Sequence, residues 1–155
     1  MMNKTREKAG DEFVMFQLFN EIGIISQLST SLFEQGLPDG LSNSQFGVLN
    51  WFIRVDAQAT PGRLAKAFQV TAGAMTNTLK KLEAKELIKV EPDESSGRKK
   101  KVTITAKGRE MRNLAIAGTA PLFEEFARVF PAAKIEKQLK ELEKIRQYLD
   151  QRRYL

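Results

Sequence analysis

Apolar positions recur at helical spacing in several runs along the chain, and at strand spacing in two short ones. In residues 12–33, Phe13, Phe16, Phe19, Ile22, Ile25, Leu28 and Leu32 follow at three- and four-residue steps and predict a long helix. Val14, Met15, Leu18 and Ile24 widen that stripe, so the helix needs more than one packing partner. The partner is either the core of the same chain or a second chain, and the remaining sequence is short for covering it. Residues 1–11 are polar and charged and predict a frayed arm. Gly36-Leu37-Pro38-Asp39-Gly40 breaks the pattern. Ser42 is a good cap for a helix running through Val55, with Phe46, Leu49, Trp51, Phe52 and Ile53.

Thr60-Pro61 marks the next helix start, because proline at the first helical position loses no bond. That helix buries Leu64, Ala65 and Phe68, turns after Gln69-Val70, and hands over to a helix capped by Thr71. In the latter, Met75, Leu79 and Leu82 form the buried stripe. Gly73, Asn77, Lys80 and Lys81 take the opposite face, with Thr76 on its flank. Ile88-Lys89-Val90-Glu91 then alternates as a strand, a Pro/Asp/Ser/Gly turn follows, and Lys101-Val102-Thr103-Ile104-Thr105 returns. Arg98, Lys99, Lys100 and Lys101 place four cations at the tip and the start of the return. Two short helices joined by a turn, followed by a basic hairpin, have the form of a winged helix-turn-helix. A helical run from Ala106 to Phe130, interrupted near Gly118 and Pro121, and a final helix from Ala132 to Leu149 complete the chain. In the final helix Ile135, Leu139, Leu142, Ile145 and Leu149 share one face, which can seam onto a partner helix together with residues 12–33. The fold class is mainly α (α+β). It divides as an arm and dimerisation helix over 1–36, a winged helix-turn-helix over 37–105 and dimerisation helices over 106–155.

Charge sharpens this picture. The net charge of +6 favours a polyanionic partner. The excess is local: between Arg98 and Arg112 there are seven Lys/Arg and one acid, Glu110. The chain has no cysteine and no histidine. Disulfides, thiol redox switching, a Cys or His nucleophile–base pair and the usual transition-metal ligands are therefore excluded. No catalytic residue, metal site or cofactor is expected. The polar N-terminus shows no signal peptide and no window is apolar enough for a membrane span, so the expected compartment is the cytoplasm.

Three segments resemble the MarR (multiple antibiotic resistance regulator) family of transcription factors. They are LSNSQFGVLNWF (41–52), TPGRLAKAFQVTAGAMTNTLKKLEAKELI (60–88), with its Leu82-Glu83 pair, and PDESSGRKKKVTITAKGRE (92–110). In the last, Arg98 precedes a pattern carried by Val102, Ile104, Thr105 and Gly108. Ser96 stands where the family often has Asp, Asn77 where it commonly has an arginine, and Glu86 where a glycine usually ends the recognition helix. At Glu86 the helix cap is therefore expected to form differently.

The resemblance implies a homodimer that binds double-stranded DNA and acts as a repressor rather than an activator, with release by a small aromatic or phenolic effector. Arg98 would enter the minor groove, where a narrow groove concentrates negative potential. About half of Lys99, Lys100 and Lys101 would touch DNA, because alternate strand residues face opposite ways. Thr76, Asn77 and Lys80 are candidates for base or phosphate contact, and Asn can pair with adenine. Lys81 shares their face, Gly73 would permit close backbone approach, and Thr71 would meet a phosphate while capping. Arg63 and Lys66 are weaker phosphate candidates, with Lys107 and Arg109 at even odds. Phe16, Phe19, Trp51 and Phe52 are candidate effector-pocket residues, although each is also explained as core. The rival reading is a winged-helix module that binds protein and has no operator.

Overall fold

The structure is a computed structural model that describes residues 2–38 and 40–152, with side chains from Gly10 onward. Asp39, in the expected break, lies outside the described residues, as do 153–155 at the end of the expected third segment. The elements are α1 (Met2–Glu34), α2 (Asn43–Arg54), α3 (Pro61–Phe68), α4 (Ala72–Ala84), β1 (Ile88–Pro92), β2 (Lys100–Ile104), α5 (Ala106–Gly118), α6 (Ala120–Val129) and α7 (Ala132–Arg152). The chain falls into two compact units, residues 1–36 and 37–155.

The first unit is α1. It begins at Met2, so residues 2–11, expected as a frayed arm, are helical instead. Half of the stretch is Lys, Arg, Glu or Ala and no proline interrupts it, so the helix of 12–33 continues back through it. Its apolar stripe is exposed: Phe13, Phe16, Phe19, Ile25, Leu28 and Leu32 all present much of their surface to solvent.

The second unit has a core in which Val48, Leu49 and Phe52 of α2 meet Leu64 of α3 and Met75, Leu79 and Leu82 of α4. Leu87, Ile88, Val102 and Ala115 complete it. The starts of α2, α3, α4 and α5 are each fixed by a hydroxyl that takes an otherwise unpaired backbone N–H. Ser42 and Gln45 form a reciprocal capping box on α2. Thr60 accepts from Arg63 N, and Thr71 from Ala74 N. Lys85 Nζ donates to the Gly40 carbonyl and, at 2.7 Å, to Gln45 Oε1, which fastens the end of α4 to the start of α2.

Two helix ends use left-handed residues that are not glycine. Gln69 (φ 53) turns the chain between α3 and α4, with Val70 N bonding to Ala65 O at 3.0 Å. Glu86 (φ 61) ends α4, with Leu87 N on Leu82 O at 3.0 Å and Glu86 N on Glu83 O at 2.8 Å. This is the Schellman arrangement, with Leu87 and Leu82 making its apolar contact in the core. The cap expected to form differently at Glu86 thus keeps the left-handed geometry with a side chain in glycine's place. The cost is steric. Glu86→Gly is therefore expected to raise stability by about 0.5–1 kcal/mol. Its exposed ion pair with Lys107 (3.0 Å) contributes little to oppose this. A urea midpoint that rises with an unchanged slope supports this; a fall would mean that the Lys107 pair outweighs the strain.

β1 and β2 pair antiparallel, with Val90 opposite Val102 and Glu91 opposite Lys101. The sequence pattern carried the return strand to Thr105, but β2 ends at Ile104 and Thr105 caps α5. Its Oγ1 accepts from Gly108 N at 3.0 Å and donates to Glu86 O at 2.7 Å. One hydroxyl thus joins the end of α4 to the start of α5. Beyond α5, Pro121 lies in the first turn of α6, where the helix restarts after Thr119. In α6 and α7, Phe123, Phe126, Leu139, Leu142, Tyr148 and Leu149 are exposed.

Candidate nucleic-acid interface

The outer face of α4 is built by exclusion. Met75, Leu79 and Leu82 are buried, so Gly73, Thr76, Asn77, Lys80 and Lys81, a half-turn or so away, stand in solvent together with the capping Thr71. Every candidate on this helix is exposed. Gly73 is not required by the protein's own packing, since an added Cβ would meet only Thr71 Oγ1 at 4.0 Å. On the preceding helix Lys66 is exposed, whereas Arg63 is held by Asp56 at 2.9 Å. Both line a shallow open depression with Thr60 and Gly62.

The wing brings its cations to the surface by a tightly bonded tip. Asp93 N donates to Lys99 O at 2.8 Å, Ser96 N to Asp93 O at 3.0 Å, and Lys99 N to Ser96 O at 2.9 Å. Asp93 Oδ1 accepts from Ser95 N at 3.0 Å and Ser95 Oγ at 2.7 Å, the local turn that Asp side chains favour. Arg98, Lys99, Lys100 and Lys101 are all exposed. Among the described residues no carboxylate lies within ion-pair distance of Arg98; Ser96 contributes only backbone bonds beside it. Lys107 pairs with Glu86, and Arg109 is exposed. Arg112, one turn further, donates twice to Asn50 Oδ1 (3.0 and 2.8 Å) and so holds α5 against α2.

The hydrogen bonds from Ser95, and then the nearby charges of Lys99 and Lys101, hold the Asp93 carboxyl below its ordinary range. A lowered folded value means that this contribution to wing order is full above the ordinary carboxylate pKa and is lost as pH falls through the lowered one. The Ser95 amide resonance is therefore expected to hold its position through the ordinary aspartate range and to move only at more acid pH. Movement already at the ordinary value would mean that the Asp93 turn does not persist in solution.

Candidate effector-pocket residues fall in different settings. Phe52 is a core residue, 2% exposed, and Trp51 is half-buried with its ring tilted onto Phe68 at 5.5 Å. Phe16 and Phe19 lie exposed on α1. Among the described residues there is no cluster of acidic side chains able to hold a metal, and no helix is long and apolar enough to cross a membrane.

Residues 39–99 match the model of the MarR family. Over these residues the winged helix is similar to the MarR family. Solved structures agree with it along most of the chain. BldR, a transcriptional regulator from Sulfolobus solfataricus, superposes with a TM-score of 0.73 at 29% identity, covering 86% of this chain and 95% of its own. Apo MarR from E. coli gives 0.70 at 26% identity, covering 83% and 96%. A MarR mutant from E. coli complexed with operator DNA gives 0.67 at 26%, covering 84% and 94%. A search of curated proteins by sequence found no match. The chain has the fold of these transcription regulators, one of them solved with operator DNA.

Three contributors to this site carry no functional signal in the linear pattern. Asp93 organises the wing tip, and its Asp-x-Ser spacing is the signature of the turn it makes. Gln69 sets the turn before α4 against its own conformational preference. Glu83 reaches from α4 to the wing, a contact with no local sequence rule behind it.

Proposed function

We propose that the protein is a sequence-specific double-stranded-DNA-binding transcriptional repressor that acts as a homodimer on a near-palindromic operator. The observation that carries this reading is the joint exposure, in one compact unit, of the polar face of α4 and the cationic wing Arg98–Lys101. α4 would lie in the major groove with Asn77 and Thr76 at base edges, while Thr71, Lys80 and Lys81 meet phosphates. Arg98 would enter the flanking minor groove. Lys66 is a better phosphate candidate than Arg63, whose guanidinium is already engaged by Asp56.

Dimerisation is supported by the exposed apolar stripe of α1 and, separately, by the exposed apolar residues of α6 and α7, since clustered apolar surface marks an interaction site. Residues 1–36 and 106–155 would supply this interface and 37–105 the DNA contact, in the cytoplasm. Release would follow binding of a small aromatic or phenolic effector with unequal affinity for two spacings of the DNA-binding heads.

Selection of binders from a random duplex library tests the reading. A two-fold motif with half-sites about 10 bp apart is the expected result. Weak, sequence-blind binding would instead leave a winged-helix module that binds protein.

A further inference from the structure

Glu83 makes a contact that packing of the core does not call for. It lies in the last turn of α4, and its Oε1 accepts from Val90 N in β1 at 3.1 Å. The sheet register explains why that N–H is open. Thr105 N donates to Leu87 O and Asp93 N to Lys99 O, so these facing residues are hydrogen-bonded pairs. Pairs alternate in an antiparallel ladder, which places Val90 and Val102 in a non-bonded pair between them. The Val90 N–H therefore points away from β2, onto the outer edge of β1, where no further strand pairs with it among the described residues. Glu83 closes that edge from the recognition helix.

The connection between α4 and the wing is short and turns on Glu86, whose left-handed backbone is strained for a side-chain-bearing residue. Leu87 N on Leu82 O fixes the turn itself, with Ile88 and Val102 seating the base of the wing in the core. Glu83 adds a second fixed point further along, at Val90. From this geometry we infer that Glu83 is a positioning residue, which holds the wing at one angle to α4 so that Arg98 and the α4 face engage a single duplex together. The inference rests on the DNA-binding reading above. It also opposes simple electrostatics: a carboxylate beside a polyanion repels, so removing it for charge reasons alone would tighten binding.

The test measures affinity for a selected operator by fluorescence anisotropy, for Glu83→Ala and Glu83→Gln in the parent protein and in Arg98→Ala. Val90 amide exchange is followed by NMR in the free proteins. Glu83→Ala is expected to weaken binding about fivefold in the parent and by less than about twofold with Arg98→Ala, since a positioning contact matters only while the wing contact exists. Glu83→Gln keeps an oxygen that can accept from Val90 N, so it should restore most of the parent affinity and keep the amide protected, whereas Glu83→Ala exposes it. Equal or tighter binding by Glu83→Ala overturns the inference, as does an equal loss in both backgrounds or a Val90 amide that stays protected. A parent protein that binds no duplex specifically overturns the DNA-binding reading itself, and the inference falls with it.

Discussion

Replacing Gly108 by alanine is expected to destabilise the protein by on the order of 3 kcal/mol, more than any exposed substitution. A Cβ at this position would stand 2.1 Å from the Leu87 carbonyl oxygen and 2.9 Å from Ile104 Cγ1. Neither neighbour can move freely. The Leu87 carbonyl already accepts from Thr105 N, and Leu87 and Ile88 on either side of that peptide are core residues, each 1% exposed. The first turn of α5 would have to lift away, and the bond from Gly108 N to Thr105 Oγ1 would go with it. Urea unfolding followed by circular dichroism measures the loss. A midpoint within the range of a surface substitution would show that α5 does not pack this closely on the end of α4 in solution. Because Thr105 also bonds Glu86 O, the variant is expected to loosen the base of the wing as well.

The second large effect concerns binding. Replacing Arg98, Lys99, Lys100 and Lys101 together by alanine is expected to lower operator affinity by about a hundredfold or more near physiological salt. It should also reduce the slope of log affinity against log salt by about 2, as for the loss of two phosphate contacts. Two phosphate contacts rather than four are expected because strand alternation turns one of Lys100 and Lys101 away and Arg98 is assigned to the minor groove, although all four side chains are exposed. Asn77→Ala is expected to behave differently. It should leave the salt slope nearly unchanged and relax the base preference at one position of each half-site, costing about 1–3 kcal/mol of discrimination. Binding isotherms at several salt concentrations, with repeated library selection on the Asn77 variant, separate the two. An unchanged slope in the wing variant would remove the wing from the interface, and an unchanged motif in the Asn77 variant would remove that side chain from base readout.

Much of the architecture follows from local pattern. Ser42, Thr60 and Thr71 sit before apolar runs of helical period, and each caps a helix because a short side-chain oxygen in extended backbone reaches the N–H three residues on. The spacing of Met75, Leu79 and Leu82 determined which face of α4 is buried, and so which residues are free to meet a partner. The cluster Arg98–Lys101 places four cations on the wing. These features depend on residues within one or two turns of each other, and such distances are written in the chain.

The remainder was decided by contacts between segments. Thr105 alternates correctly for a strand, yet it ends the sheet because Gly108 N and the Glu86 carbonyl are both within reach of its hydroxyl. Gln69 and Glu86 adopt a conformation that their own backbones disfavour, and they hold it because Val70 and Leu87 complete helix-end bonds and Leu87 is drawn into the core. Glycine is required at 108 because a carbonyl from the end of α4 arrives there. Glu83 reads as one more exposed acid on a charged helix until the fold carries Val90 back beside it. The sequence by itself determined most of the helices and their caps, the solvent-facing side of α4 and the basic wing, since short-range spacing and charge suffice for these. Only the tertiary structure decided how the wing is fastened to α4 and α5, because those bonds join residues whose proximity no local period encodes.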